Sequence, residues 1–199
     1  ILDIHRAYLE AGADVVETDS FNATRVSLGE YDLQDASHDI NVAAARLARQ
    51  AADEFSKPGR PRGGAGSMGP TTRSVTVTRN VTFEQLLEAY YEEARALFEG
   101  GADLLAVETC QDTRNVKAAL LAIARLEGEL GVTIPKMVSG TIEPMGTMLG
   151  GQTADAFWIS VAHANPISIG LNCATGPEFM TDHIRTLQDR KSTRLNSSH

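Results

Sequence analysis

Two cysteines among 199 residues, Cys110 and Cys173, are too few for a disulfide framework, so a reducing cytoplasm is the expected setting. They form no CxxC pair, and no complete zinc motif can be read from the chain alone. No apolar run approaches the roughly 20 residues that cross a bilayer, and no signal peptide opens the sequence. Positive charge is scarce as well. Lys and Arg number 18 against 26 Asp and Glu, a formal charge of −8 that excludes nucleic acid and anionic membrane surfaces as expected partners. No glycine-rich phosphate loop follows a strand, because Gly63-Gly64-Ala65-Gly66 reads as a strand rather than a helix start. His5, His38, His163 and His183 fall on predicted helices and His199 in a polar tail, so no histidine base is expected at a strand end.

What is present is one repeated unit. Leu9-Glu10-Ala11-Gly12-Ala13-Asp14-Val15-Val16 is echoed by Phe98-Glu99-Gly100-Gly101-Ala102-Asp103-Leu104-Leu105. Glu17-Thr18 closes the first copy and Glu108-Thr109 the second. A helix end, a glycine breaker, an apolar strand and a polar strand end, recurring, are what β/α repetition looks like in sequence. Strands are expected over 14–18, 63–67, 104–107, 136–141 and 168–171, alternating with six helices. The first helix, 1–11, has Ile1, Ile4, Tyr8 and Leu9 near helical spacing. Thr82 with Gln85 reads as a capping box, Asp112 or Thr113 and then Thr153 as caps, and Gly131 as a stop. The stretch 71–81 reads as a long polar loop, and 143–152 as a loop covering strand ends. At 42% hydrophobic residues the chain can bury one substantial core. Short connections demand a parallel sheet, either a (β/α)8 barrel or an open doubly wound sheet.

In such a sheet the strand C-termini build the site. Glu17, Thr18 and Asp19, Ser67, Glu108, Thr109 and Cys110, Gly140 and Thr141, and Asn172 and Cys173 all fall there. A carboxylate at that rim can pair with a substrate ammonium, although each residue alone is also an ordinary turn former. Both thiols can equally be read as small buried hydrophobes. After Gln188 the helical pattern stops, and 189–199 is polar with no apolar face, either a non-native adaptor-like end or a disordered tail. The chain opens on a helix without an initiator Met, which reads as a piece lacking whatever preceded it.

Glu108-Thr109-Cys110-Gln111-Asp112-Thr113 and Gly170-Leu171-Asn172-Cys173-Ala174-Thr175-Gly176-Pro177 give the chain a family likeness. With Gly12 through Thr24, Val138-Ser139-Gly140-Thr141-Ile142 and Leu149-Gly150-Gly151-Gln152-Thr153, it closely resembles the homocysteine-binding domain of cobalamin-dependent methionine synthase. The resemblance implies a (β/α)8 TIM barrel truncated at both ends, holding about strands two to six, over residues 1–188. It implies zinc at the C-terminal rim held by three cysteines, of which Cys173 matches the first and the other two fall beyond this sequence. Cys110 matches none of them. Glu108 is the expected partner of the substrate's amino group, with Glu17, Asp19 and Asn172 supporting its orientation. Zinc would activate the homocysteine thiol, and methylcobalamin, carried by a cobalamin-binding domain of the full-length protein, would supply the methyl group. A folate-binding domain would follow. A stand-alone methyltransferase using betaine or S-methylmethionine, and a metal-free small-anion-binding barrel or lyase, are the alternatives. The piece alone is expected to be neither stably folded nor active, because an open barrel exposes strand edges.

Overall fold

The computed structural model describes residues 1–196, with side chains through residue 189. Helix α1 (Leu2–Glu10) leads to β1 (Val15–Glu17), a short α2 (Arg25–Leu28) and α3 (Ser37–Phe55). Then come β2 (Gly63–Met68), α4 (Phe83–Glu99), β3 (Leu104–Cys110), α5 (Thr113–Leu130), β4 (Lys136–Gly140), α6 (Ala154–Val161), β5 (Ser168–Leu171) and α7 (Pro177–Asn196). The five strands form one sheet in the order β1-β2-β3-β4-β5, every neighbour parallel. That sequential parallel order is a sector of a β/α barrel wall, as expected, rather than a doubly wound sheet whose order reverses. Among the described residues no helix is long and apolar enough to cross a membrane.

Alternation along each strand separates two faces. Val16, Leu105, Val107 and Val138 turn toward the helices and are buried there with Leu86, Tyr90, Leu97, Ile123, Leu126 and Phe157. Each such large side chain contributes about 1.5 to 3 kcal/mol by leaving water. Glycine in β2 has a packing reason: a Cβ at Gly66 would stand 2.8 Å from Leu105 Cδ2 and 3.1 Å from Leu97 Cδ1. The other face carries Val15, Glu17, Ala65, Ser67, Ala106, Glu108, Met137 and Ser139, by strand register. This inner face is open, with Val15 44% and Met137 37% exposed.

The caps behave as their residue types predict. Thr82 and Gln85 form the capping box of α4, Asp112 accepts from Arg114 N, Thr153 accepts from Ala156 N, and Gly131 ends α5 at φ +67°. One expectation needs correction. Ile1, Ile4 and Tyr8 do not form the packing face of α1; they are exposed beside the free edge of β1, while His5 and Leu9 are buried. On α7, Leu187 is buried but Phe179 and Ile184 are exposed, because β5 is the last strand of the sheet and offers little surface to cover them. The backbone of α7 also runs on to Asn196, past the Gln188 at which the apolar pattern ends. Of the stretch 189–199, expected to be a non-native or disordered tail, the side chains from residue 190 on lie outside the described residues.

Candidate active site

Strand β3 sets the site. Val107 pairs with Val138 but Cys110 pairs with Gly140, so β3 carries one residue more than β4 over that interval. The bulge sits at Thr109, whose φ of +55° lies in the left-handed region. Glu108, before the bulge, keeps the inward direction of Leu104 and Ala106. Without the extra residue Cys110 would also point inward; with it, the thiol turns out into the helix layer beside Tyr90 and Val116. Burial first, and the Glu108 charge second, push that thiol well above the usual cysteine range. Cys110 is therefore packing, and not a second thiolate at the rim.

Glu17, Glu108 and Asn172 line one inner-face cavity of about 340 Å³, together with Ser139, Met137 and Gly170. Glu17 lies low in that wall. Burial first and Glu108 second raise its carboxyl above the ordinary carboxylate value. Asp19 is placed differently. It is exposed beyond the end of β1 and lines a separate hollow of about 670 Å³ with Glu17, His5, Ile4 and Tyr8. His5 was not a rim candidate, since it lies on a helix, yet its Nε2 is buried there without a hydrogen-bond partner. Burial lowers its pKa, and the charge of Asp19 opposes that shift.

The amide of Asn172 connects three strand ends. Ser139 Oγ donates to its Oδ1 at 2.9 Å, and its Nδ2 donates to Thr109 Oγ1 at 2.8 Å and to Cys173 Sγ at 3.1 Å. In this arrangement an amide N–H of Asn172 faces the sulfur. Cys173 and Ala174 both adopt positive φ, +57° and +55°, an unfavourable conformation for two residues with side chains. It leaves the Cys173 sulfur exposed at the rim. Ser139 was missed from the sequence, where the strand end was placed at Thr141; Thr141 is buried and bonds back to Cys110 O. Among the described residues no three His, Cys, Asp or Glu side chains gather to hold a metal. The donors present thus fit one thiolate ligand, Cys173, with its sulfur already accepting a hydrogen bond, and not a complete metal centre.

Solved structures share this fold. The Escherichia coli homocysteine methyltransferase MmuM superposes in its metallated form with a TM-score of 0.73 at 22% identity, over 86% of this chain and 62% of that one. Its apo form gives 0.73 at 22% identity, over 94% and 65%. Its oxidised form gives 0.57 at 19% identity, over 95% and 83%. At such identities the likeness establishes the fold, a partial TIM-barrel-like wall, and this chain spans less than two thirds of the first two. The sequence itself matches the family model for homocysteine S-methyltransferase over residues 1–198. With the match running along nearly the whole chain, the protein belongs to the homocysteine S-methyltransferase family.

Proposed function

We propose that this chain forms the homocysteine-binding wall of an enzyme that transfers a methyl group to the homocysteine thiol, giving methionine. The observation that carries the reading is the exposed Cys173 sulfur at a strand end, bonded to the Asn172 that lines one cavity with Glu17 and Glu108, in a chain of this family. Glu108, with Glu17 behind it, offers negative charge to the substrate's ammonium group, and Asn172 orients the strand end that bears the thiolate. Asp19, outside the inner cavity, acts on that charge only from a distance. Cys173 would hold zinc as one ligand of several, the others coming from residues outside this sequence. Zinc, when bound, lowers the pKa of a coordinated thiol so that a nucleophilic thiolate persists at neutral pH. A reducing, cytoplasmic setting suits such a ligand. Methylcobalamin, presented by another domain of the full-length protein alongside a folate-binding domain, is the proposed donor.

The metal test uses the full-length protein. Cys173→Ser is expected to lower bound zinc far below stoichiometric and to remove one sulfur from the X-ray absorption spectrum of what remains. Equal zinc and equal sulfur coordination in both proteins would overturn Cys173 as a ligand. The donor is separated by offering methylcobalamin and S-methylmethionine in turn. Methionine formed only from the latter would place the enzyme among the stand-alone methyltransferases.

Glu17 gives the site a pH signature. Its raised pKa means that part of the negative charge facing the ammonium appears only as pH rises above the ordinary carboxylate value near 4.5. Affinity for the product methionine, whose thioether does not titrate, is therefore expected to rise with pH through that window. Glu17→Gln should flatten the rise, as read by calorimetry between pH 4.5 and 7.5. A wild-type profile that is already flat would remove Glu17 from the ammonium site.

A further inference from the structure

We propose that Ser67 is a positioning residue for Glu108, aimed by a buried pair of hydroxyls, Thr18 and Ser20. The inference rests on the reading of Glu108 as partner of the substrate's ammonium group. Its geometry begins where β1 ends. Thr18 N still donates to Ala65 O at 2.9 Å, which continues the β1–β2 ladder one residue further. In a parallel ladder the carbonyl of that same residue accepts the next N–H of the neighbouring strand, here that of Ser67. The Thr18 hydroxyl accepts it instead, at 2.9 Å. Ser20 Oγ–H donates to the Ser67 carbonyl at 2.8 Å. The one proton of Ser20 is thereby committed, so the 2.6 Å contact between the two hydroxyls is donated by Thr18.

Side chains thus grip Ser67 at both its N–H and its carbonyl, and all three residues are buried. The remaining polar group, the Ser67 hydroxyl, crosses from β2 to β3 and donates to Glu108 Oε1. Every hydroxyl proton in the set has one direction, and the inward-facing one ends on the carboxylate. An apolar trio could have closed the same strands, with the Thr18 carbonyl completing the ladder, so the ladder alone does not account for three buried hydroxyls. Their arrangement holds one oxygen of Glu108 and leaves the other for a ligand. A carboxylate held in this way is set before substrate arrives, and less side-chain freedom is lost on binding. The device therefore favours amino-acid thiols over thiols that lack the amino group.

Calorimetry on the full-length protein tests this with two probes, homocysteine and 4-mercaptobutyrate, which lacks the amino group. Glu108→Gln is expected to weaken homocysteine alone. Ser67→Ala should weaken homocysteine about tenfold, the scale of a hydrogen bond to a charged group, and leave 4-mercaptobutyrate within about twofold. Ser67→Thr, which keeps the hydroxyl, should restore homocysteine binding. Unchanged 4-mercaptobutyrate affinity also certifies that each variant is folded. If Ser67→Ala leaves both ligands as in wild type, or weakens both alike, the positioning role is overturned while Glu108→Gln can still stand. If Glu108→Gln itself spares homocysteine, the ammonium reading has failed, and the inference falls with it.

Discussion

In the full-length protein, Asp112→Ala is expected to lower the unfolding free energy by about 3 kcal/mol, read as a fall in urea midpoint at unchanged slope. The side chain is buried, and its two oxygens accept four hydrogen bonds. Ser74 Oγ and Thr76 N donate to Oδ2 at 2.6 and 2.9 Å, and Thr76 Oγ1 and Arg114 N to Oδ1 at 3.1 and 2.9 Å. One residue thus caps α5 and ties down the polar loop between β2 and α4. Asn115 completes the tie, donating to Pro70 O and Arg73 O and accepting from Val75 N. Alanine leaves Arg114 N without its partner and Thr76 N with only its longer bond to Ser74 Oγ at 3.2 Å, a loss of about 1 to 3 kcal/mol per unmet group, while the two hydroxyls can rotate toward water. Asparagine keeps the cap but turns an NH2 toward donors on one side, so Asp112→Asn should recover only part of the loss. An unchanged midpoint for Asp112→Ala would show that water replaces all four bonds.

Most of this architecture was legible because local rules and tertiary packing agree. The capping box at Thr82 and Gln85, the apolar stripe of Leu86, Tyr90, Ala94 and Leu97, and the repeated helix–Gly–strand units each mean one thing. The failures have specific causes. Cys110 and Glu108 sit two apart on one strand, so alternation puts both on the same face; only the bulge at Thr109 separates them, and a bulge at threonine carries no sequence signature. On α1 and α7 the apolar residues are real but sit next to the first and last strands of the sheet, where pattern cannot say whether anything covers them. Ser139 and Ser67 gained meaning only through their neighbours, because a serine near a strand end is indistinguishable by sequence from one that merely ends a strand. The exposed inner face also leaves the chain's independent stability a matter of the two sheet edges. On that ground the 199-residue chain alone is expected to bind hydrophobic dyes and lack a cooperative thermal transition.

Glu93 should make the protein less stable as pH rises, and removing it should lessen that trend. It lies on α4 among Leu86, Ala89, Tyr90 and Leu97, fully buried, and neither carboxylate oxygen has a hydrogen-bond partner. Burial alone pushes its pKa well above the ordinary 4.5, so the folded protein carries this group protonated while the unfolded chain ionises it. A folded pKa above the unfolded one gives stability that is complete below pH 4.5 and is lost as pH climbs toward the folded value. Within that window the loss approaches about 1.4 kcal/mol per pH unit for one group. Glu17 shifts in the same direction and adds a smaller slope of the same sign. Glu93→Met conserves volume, removes the unpaired polar load and is expected to gain about 2 kcal/mol at pH 8, with little gain at pH 4.5. Glu93→Gln separates the two contributions, since it cannot titrate but still buries an amide; its profile should lose Glu93's part of the slope without the gain. Urea midpoints of the full-length protein at pH 4.5, 6 and 8 decide the matter. Wild-type and Met profiles that run parallel would mean that the carboxyl finds a partner or water inside the helix layer, and that its burial costs the fold little.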